Sequence, residues 1–157
     1  MPKLNEKEYN SKFKEALAND PDYVAGRKAI FLPLVILVAS RLIYTGFEIF
    51  LITSRGMPFS FQNVFASIAI FFFAFAIYQG LREFILLPVI GVAASLLFVF
   101  EGGTSFNDGI MIVYSILFYI TLAVTVIIAL YVFFNKKYRI YADKTKELRK
   151  SCVVKRK

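Results

Sequence analysis

The sequence predicts an all-α integral membrane protein, and three observations carry that prediction. Hydrophobic residues make up 58% of the 157 residues and aromatic residues 17%, and a soluble domain of this size has too little interior to hide so much apolar surface. The apolar residues are gathered into long blocks, which is the pattern of membrane spans. The formal charge of +8 is concentrated toward the C-terminal end, where it reads as topology before it reads as affinity for a ligand. There is no His, no Trp and a single Cys, Cys152. Disulfide frameworks, Cys/His zinc sites and triads that need imidazole are thereby excluded. No metal and no cofactor are expected.

The first 28 residues are polar and mixed in charge, and they precede the first apolar block. That order argues against a cleaved signal peptide. Asn5 and Glu8 have the spacing of a capping box, with Leu4 and Tyr9 placed as a hydrophobic staple. Tyr9, Phe13 and Leu17 recur at i, i+4 and i+8, so residues 6–18 should form a short amphipathic helix ended by Asn19, Asp20 and Pro21. Its stripe has three uses: packing on the bundle, lying in the membrane interface, or docking a partner.

Four spans follow, at residues 29–52, 64–80, 84–100 and 110–134. Arg27 and Lys28 flank the first, and Gly56 and Pro58 break the chain after it. The short turn YQGLRE separates the second from the third, whose Pro88 falls in the first turn, where a missing N–H matters least. A competing arrangement has three spans, with residues 64–100 dipping in and out as a re-entrant pair. The echo of SFQN at 60–63 in SFND at 105–108 reads as repeated use of an Asn or Asp helix cap rather than a duplicated hairpin. Basic residues gather at Arg27 and Lys28, at Arg82, and at Lys136, Lys137 and Arg139, while the opposite loops hold Arg55 against Glu101 and Asp108. This asymmetry places both termini in the cytoplasm of a multi-pass cell-membrane protein.

The candidate chemistry is sparse. Glu101 and Asp108 are two carboxylates with no third ligand or nucleophile beside them, and solvated loop residues explain them. The tail, residues 135–157, is basic with two interleaved tyrosines. Asp143 with Lys146 and Glu147 with Lys150 have i, i+3 spacing, which supports a helix continuing from the fourth span. Lys136, Lys137 and Arg139 are expected to anchor the chain at anionic lipid headgroups of the cytoplasmic face. Nucleic acid is not an expected partner, because no recognised module accompanies the charge. Cys152 is followed by five residues, so the tail does not end as a prenylation signal.

Small and hydroxyl residues inside the spans suggest helix packing. Gly91 and Ser95 form a small-xxx-small pair that lets a neighbouring helix approach. Thr121 and Thr125 share one face of the fourth span, as do Ser115 and Tyr119, and they read as packing and hydrogen-bond partners.

The most informative stretch is SRLIYTGFE at residues 40–48 of the first span. Arg41, Tyr44, Thr45 and Glu48 stand at i, i+3, i+4 and i+7 and form one polar stripe. Arg41 is roughly 20 Å along the helix from Arg27 and Lys28, too far for its side chain to reach water there. A central Arg costs about 2.5–3.5 kcal/mol on insertion, and the many apolar residues of the span offset it at about 0.3–0.6 kcal/mol each. The stripe must therefore face protein or water. Arg41 and Glu48 are expected to be buried against the third or fourth span, linked through Tyr44, Thr45 and the hydroxyls there.

Three function classes fit these features. The leading one is a non-enzymatic accessory or regulatory subunit of a membrane complex, in contact with another membrane protein or with itself. The second is a small oligomeric transporter or channel using the stripe. The third is a membrane enzyme acting on lipid, which lacks a visible catalytic set.

Overall fold

A computed structural model of the chain describes residues 6–56, 61–101 and 109–150, the side chains of residues 6, 61–64 and 94–101 excepted. Every element among the described residues is a helix. They run α1 (Glu6–Asn19), α2 (Pro21–Arg55), α3 (Phe61–Tyr78), a short 3-10 turn (Arg82–Ile85), α4 (Leu86–Glu101), α5 (Gly109–Phe134) and α6 (Lys136–Lys150). Two of them, α2 and α5, are long and apolar enough to cross a membrane.

Helix α2 is the mast of the bundle, packed against α1, α3, α5 and α6. It begins at Pro21 rather than near residue 29, because two local signals start it early. The Asp20 carboxylate accepts the N–H of Asp22 at 2.9 Å, and Pro21 occupies the first helical position. Gly56 ends it at φ 64°, its N–H donating to the Ile52 carbonyl at 3.1 Å. A helix of 35 residues is roughly 50 Å long at the usual rise per residue. That exceeds the ~30 Å of a bilayer core, so the first turns of α2 are free to serve as a platform for other elements.

Pro33 lies inside α2 and has no N–H to offer the carbonyl one turn back, that of Ala29. The Tyr131 hydroxyl of α5 donates to that carbonyl at 3.1 Å. The helix passes the proline with its backbone satisfied from a neighbour, the condition for tolerating proline among apolar surroundings.

Helix α3 closes in a Schellman motif. Gly80 takes φ 83°, its N–H donates to Ile77 at 2.9 Å, and the N–H of Leu81 donates to Ala76 at 3.0 Å. At the other junction, the tail is helical as expected, but one residue, Asn135, separates it from α5. The chain breaks at Asn135, whose side chain accepts the N–H of Tyr138 at 2.9 Å and so caps a separate helix α6. Two of the charges behind that expectation have partners elsewhere. Asp143 lies 3.5 Å from Arg82 and Lys146 lies 2.7 Å from Glu83, so both tie α6 to the turn between α3 and α4.

Helix α6 packs against the start of α2, and the best-buried side chains gather there: Tyr138, Tyr141, Ile30, Ile77, Ile85 and Val132. The stripe of α1 packs on this core through Phe13 and Leu17, with the Phe13 ring edge-on to Tyr23 at 6.1 Å. Bundle packing is thus the use made of that stripe. The outward faces of α2 to α5 carry exposed large apolar residues such as Leu32, Phe72, Ile127 and Phe134.

The crossing of α2 and α6 is close enough to demand glycine. A Cβ at Gly26 would stand 2.3 Å from the Tyr141 Cβ and 2.7 Å from the Lys137 carbonyl oxygen. Gly26→Ala should therefore destabilise the protein by about 1–3 kcal/mol or more through overpacking. Gly46→Ala, where a Cβ would meet nothing within 4 Å, should leave stability unchanged or slightly raised. Thermal unfolding of both variants in mild detergent checks the contrast; equal losses would mean α6 does not sit on Gly26.

Candidate functional site

The polar stripe of α2 is the first candidate, and the helices around it receive each of its side chains differently. Arg41 is half-buried, and its Nε donates to the Ser67 hydroxyl of α3 at 3.1 Å. Ser67 is buried and also shares a hydrogen bond with Thr45 at 2.7 Å. Tyr44 is buried, and the Arg41 guanidinium lies over its ring at 5.0 Å from the centroid. The Tyr44 hydroxyl bonds that of Tyr114 on α5, with the two rings stacked at 5.2 Å. Glu48 is half-buried on the same face.

The Arg41–Ser67 bond runs to the second apolar helix, α3, while Tyr44 reaches the fourth, α5. Two side chains that matter most, Ser67 and Tyr114, were not singled out from the sequence. A signal for Ser67 exists: it is the one polar residue in the apolar run 64–77.

The hydroxyls expected to glue helices together turn inward on their own helix. Ser115 donates to the Met111 carbonyl at 2.9 Å, Thr121 to Leu117 at 2.9 Å and Thr125 to Thr121 at 2.8 Å. Such i−4 bonds are the standing alternative for Ser and Thr in a helix. Tyr119 is exposed and meets Phe118 edge-on at 5.7 Å. Gly91 makes no close helix approach among the described residues, since a Cβ there would meet nothing within 4 Å. It lines a cavity of about 280 Å³ among α2, α3, α4 and α5, together with Arg41, Phe73, Thr121 and Thr125. The side chains of Ser95 and Glu101, Asp108, and the side chains of both SFQN and SFND lie outside the described residues.

The second candidate is the collar that α6 forms at the end of the bundle. Tyr138 donates its hydroxyl to the Ile77 carbonyl at 2.8 Å, Tyr141 to Tyr78 at 2.9 Å, and Arg149 donates through Nη2 to Gln79 at 2.8 Å. Burial raises the phenol pKa of Tyr138 and pushes that of Tyr141 up to about 12, so both remain donors at physiological pH. Lys144 sits between the Asp20 and Asp22 carboxylates at 2.8 Å from each. Its hydrogen bond holds the Asp20 carboxyl below the usual range, and Lys146 does the same for Glu83. The two aspartates in turn raise Lys144, Asp20 the more. Lys144, Lys146 and Arg149 are thus engaged within the fold, whereas Lys136, Lys137 and Arg139 are exposed.

Among the described residues no group of three or more Cys, Asp or Glu side chains is placed to hold a metal. No protein-family model, curated protein or solved structure matches the chain.

Arg41 and Ser67 should be energetically coupled. Ser67→Ala strands a guanidinium N–H in the interior, and Arg41→Leu removes the group so stranded. Each single change should lower stability in detergent, and the double change should recover part of the loss, with a coupling of about 0.5–3 kcal/mol. Additive losses would break the link between them.

The collar should weaken in acid. Asp20 and Glu83 have carboxyls depressed below their ordinary values of 3.8 and 4.5, so the stability they contribute is present above those values and is lost as pH falls through the depressed ones. Lys144 has the opposite sense, contributing below its ordinary 10.5 and losing that as pH rises through its raised value. Thermal midpoints measured from neutral pH downward should fall at the acid end. Lys144→Met should flatten that fall; an unchanged acid limb would mean the Asp20 pairing carries no stability.

Proposed function

We propose that this chain is a four-span cell-membrane protein with both termini in the cytoplasm, acting as a non-enzymatic accessory or regulatory subunit of a membrane complex. The observation that carries this reading is how the stripe is used. Arg41, Tyr44 and Thr45 bond to Ser67 and Tyr114 on neighbouring helices, and Ser115, Thr121 and Thr125 bond to their own backbone. Groups that make a bundle rigid in this way suit a structural polar network. On this topology α1 and α6 form a folded cytoplasmic face, with Lys136, Lys137 and Arg139 turned outward to anionic headgroups and to partner proteins.

A second reading, a small oligomeric transporter or channel, is favoured by one feature. The cavity of about 280 Å³ places Arg41 beside Thr121 and Thr125 in an otherwise apolar enclosure, the mix of surfaces found in small-molecule sites.

Two measurements separate these. Affinity purification of the full chain in mild detergent should retain a stoichiometric second membrane protein. A homo-oligomer that supports solute flux in liposomes, with no retained partner, would reverse the ranking. For the topology, single cysteines at Ser11 and Ser105, with Cys152 replaced, should differ toward an impermeant reagent on intact cells. Position 105 should label and position 11 should not; the converse would invert the orientation, and labelling of both would end the four-span reading.

A further inference from the structure

We propose that the notch between α1, α2 and the end of α3 binds one anionic phospholipid, its phosphate held by Arg27 and Lys28. The notch has a volume of about 280 Å³ and is lined by Leu17, Val24, Arg27, Lys28, Phe31 and Tyr78. Two of those side chains are cations and none is an acid. The neighbouring carboxylates of Asp20 and Asp22 are occupied by Lys144, so the positive charge of the notch is not cancelled from that side.

Arg27 supplies the observation that points to a ligand. Its Nε is buried and has no hydrogen-bond partner among the described residues. A buried donor left unpaired is costly and calls for an acceptor. The guanidinium lies over the Tyr78 ring at 4.4 Å from the centroid. A guanidinium held over a ring keeps N–H donors, the groups that bind phosphate oxygens. Lys28 is exposed and adds a second charge to the lining.

The apolar half of the notch specifies a lipid rather than a free anion. Leu17 and Val24 form its wall, and Phe31 is 57% exposed one turn further along α2. A headgroup phosphate at Arg27 and Lys28 would send its acyl chains along Phe31 toward the apolar faces of the bundle. The proposal rests on the reading that α2 starts at the cytoplasmic surface, where anionic lipids concentrate. It differs from the general attraction of Lys136, Lys137 and Arg139, which are exposed on α6 and line no part of the notch.

The test uses the full-length protein, delipidated in non-ionic detergent and titrated with phosphatidylglycerol, phosphatidylcholine or inorganic phosphate. Thermal midpoint and bound-lipid mass are both recorded. Phosphatidylglycerol should raise the midpoint saturably and appear as a single bound molecule. Arg27→Gln and Lys28→Gln should each weaken that binding about fivefold, as expected for one basic group at a lipid surface. The double variant Lys136→Gln/Lys137→Gln should leave the affinity unchanged. Equal stabilisation by phosphatidylcholine would reduce the notch to an apolar groove. Equal binding of inorganic phosphate would make it a site for soluble anions. Loss of binding in the Lys136/Lys137 variant as large as in the others would reassign the effect to diffuse surface charge. Each of those three results overturns the proposal. Should Arg27→Gln fail to fold, the exposed Lys28 decides alone. A reversed orientation in the cysteine experiment would overturn the cytoplasmic reading while leaving this detergent titration to stand by itself.

Discussion

The last carbonyls of α3 impose the constraint on which most of this structure depends. A helix end leaves four C=O groups without intrahelical partners, and at the edge of an apolar bundle water is a poor substitute. The Schellman turn at Gly80 serves Ala76 and Ile77, and α6 serves Ile77, Tyr78 and Gln79 through Tyr138, Tyr141 and Arg149. Three donors spread along one helix can reach three consecutive carbonyls only if that helix lies across the end of α3. Hence a helix separate from α5 is used, and Asn135 caps its start. Hence too α6 must cross α2 at short range, which requires the missing Cβ of Gly26. The ion pairs of Lys144 and Lys146 come last in this order. The Lys146 pair is exposed and the Lys144–Asp20 pair half-buried, and pairs so open to solvent fix orientation more than they add stability.

The Arg41 cluster answers a similar demand by different means. A guanidinium carries five donors, so burying it among apolar helices needs several weak partners or one strong one. The described contacts are of the first kind: a serine hydroxyl at Nε and an aromatic face over the plane. Glu48 stands half-buried on the same face of α2. Because Arg41 also borders the cavity shared with α4, one side of its environment is protein and the other is space. Structural and ligand-binding uses of the same residue are compatible in that setting.

What was legible in the sequence, and what was not, divides by the kind of interaction. Periodicity within one helix was enough to place α1 between residue 6 and Asn19, to end α3 near Gly80 and to gather Arg41, Tyr44, Thr45 and Glu48 on one face. Relations between helices were not. The i, i+3 charges of the tail fit a continuous helix equally well whether they pair with each other or with Arg82 and Glu83, and the fold uses the second option for Asp143 and Lys146. Ser and Thr in a helix can bond a neighbour or their own i−4 carbonyl. Spacing does not separate the two, so the sequence suggests Thr121 and Thr125 as glue and gives no hint of the bond Ser67 makes to Arg41. Gly26 carries no local signature at all, since its reason lies on another helix.

Collar and cluster are joined by α2, and the joint contains a proline. Pro33 stands between Gly26, where α6 is seated, and Arg41, where α3 and α5 are tied. Left alone, the freed Ala29 carbonyl would weaken the helix there and let its two halves bend independently. The Tyr131 hydroxyl fills that vacancy from α5, a few residues before the Asn135 cap turns the chain into α6. The same short segment of α5 therefore splints α2 at its weak point and launches the helix that seals its end. The two candidate sites consequently sit on a single reinforced rod.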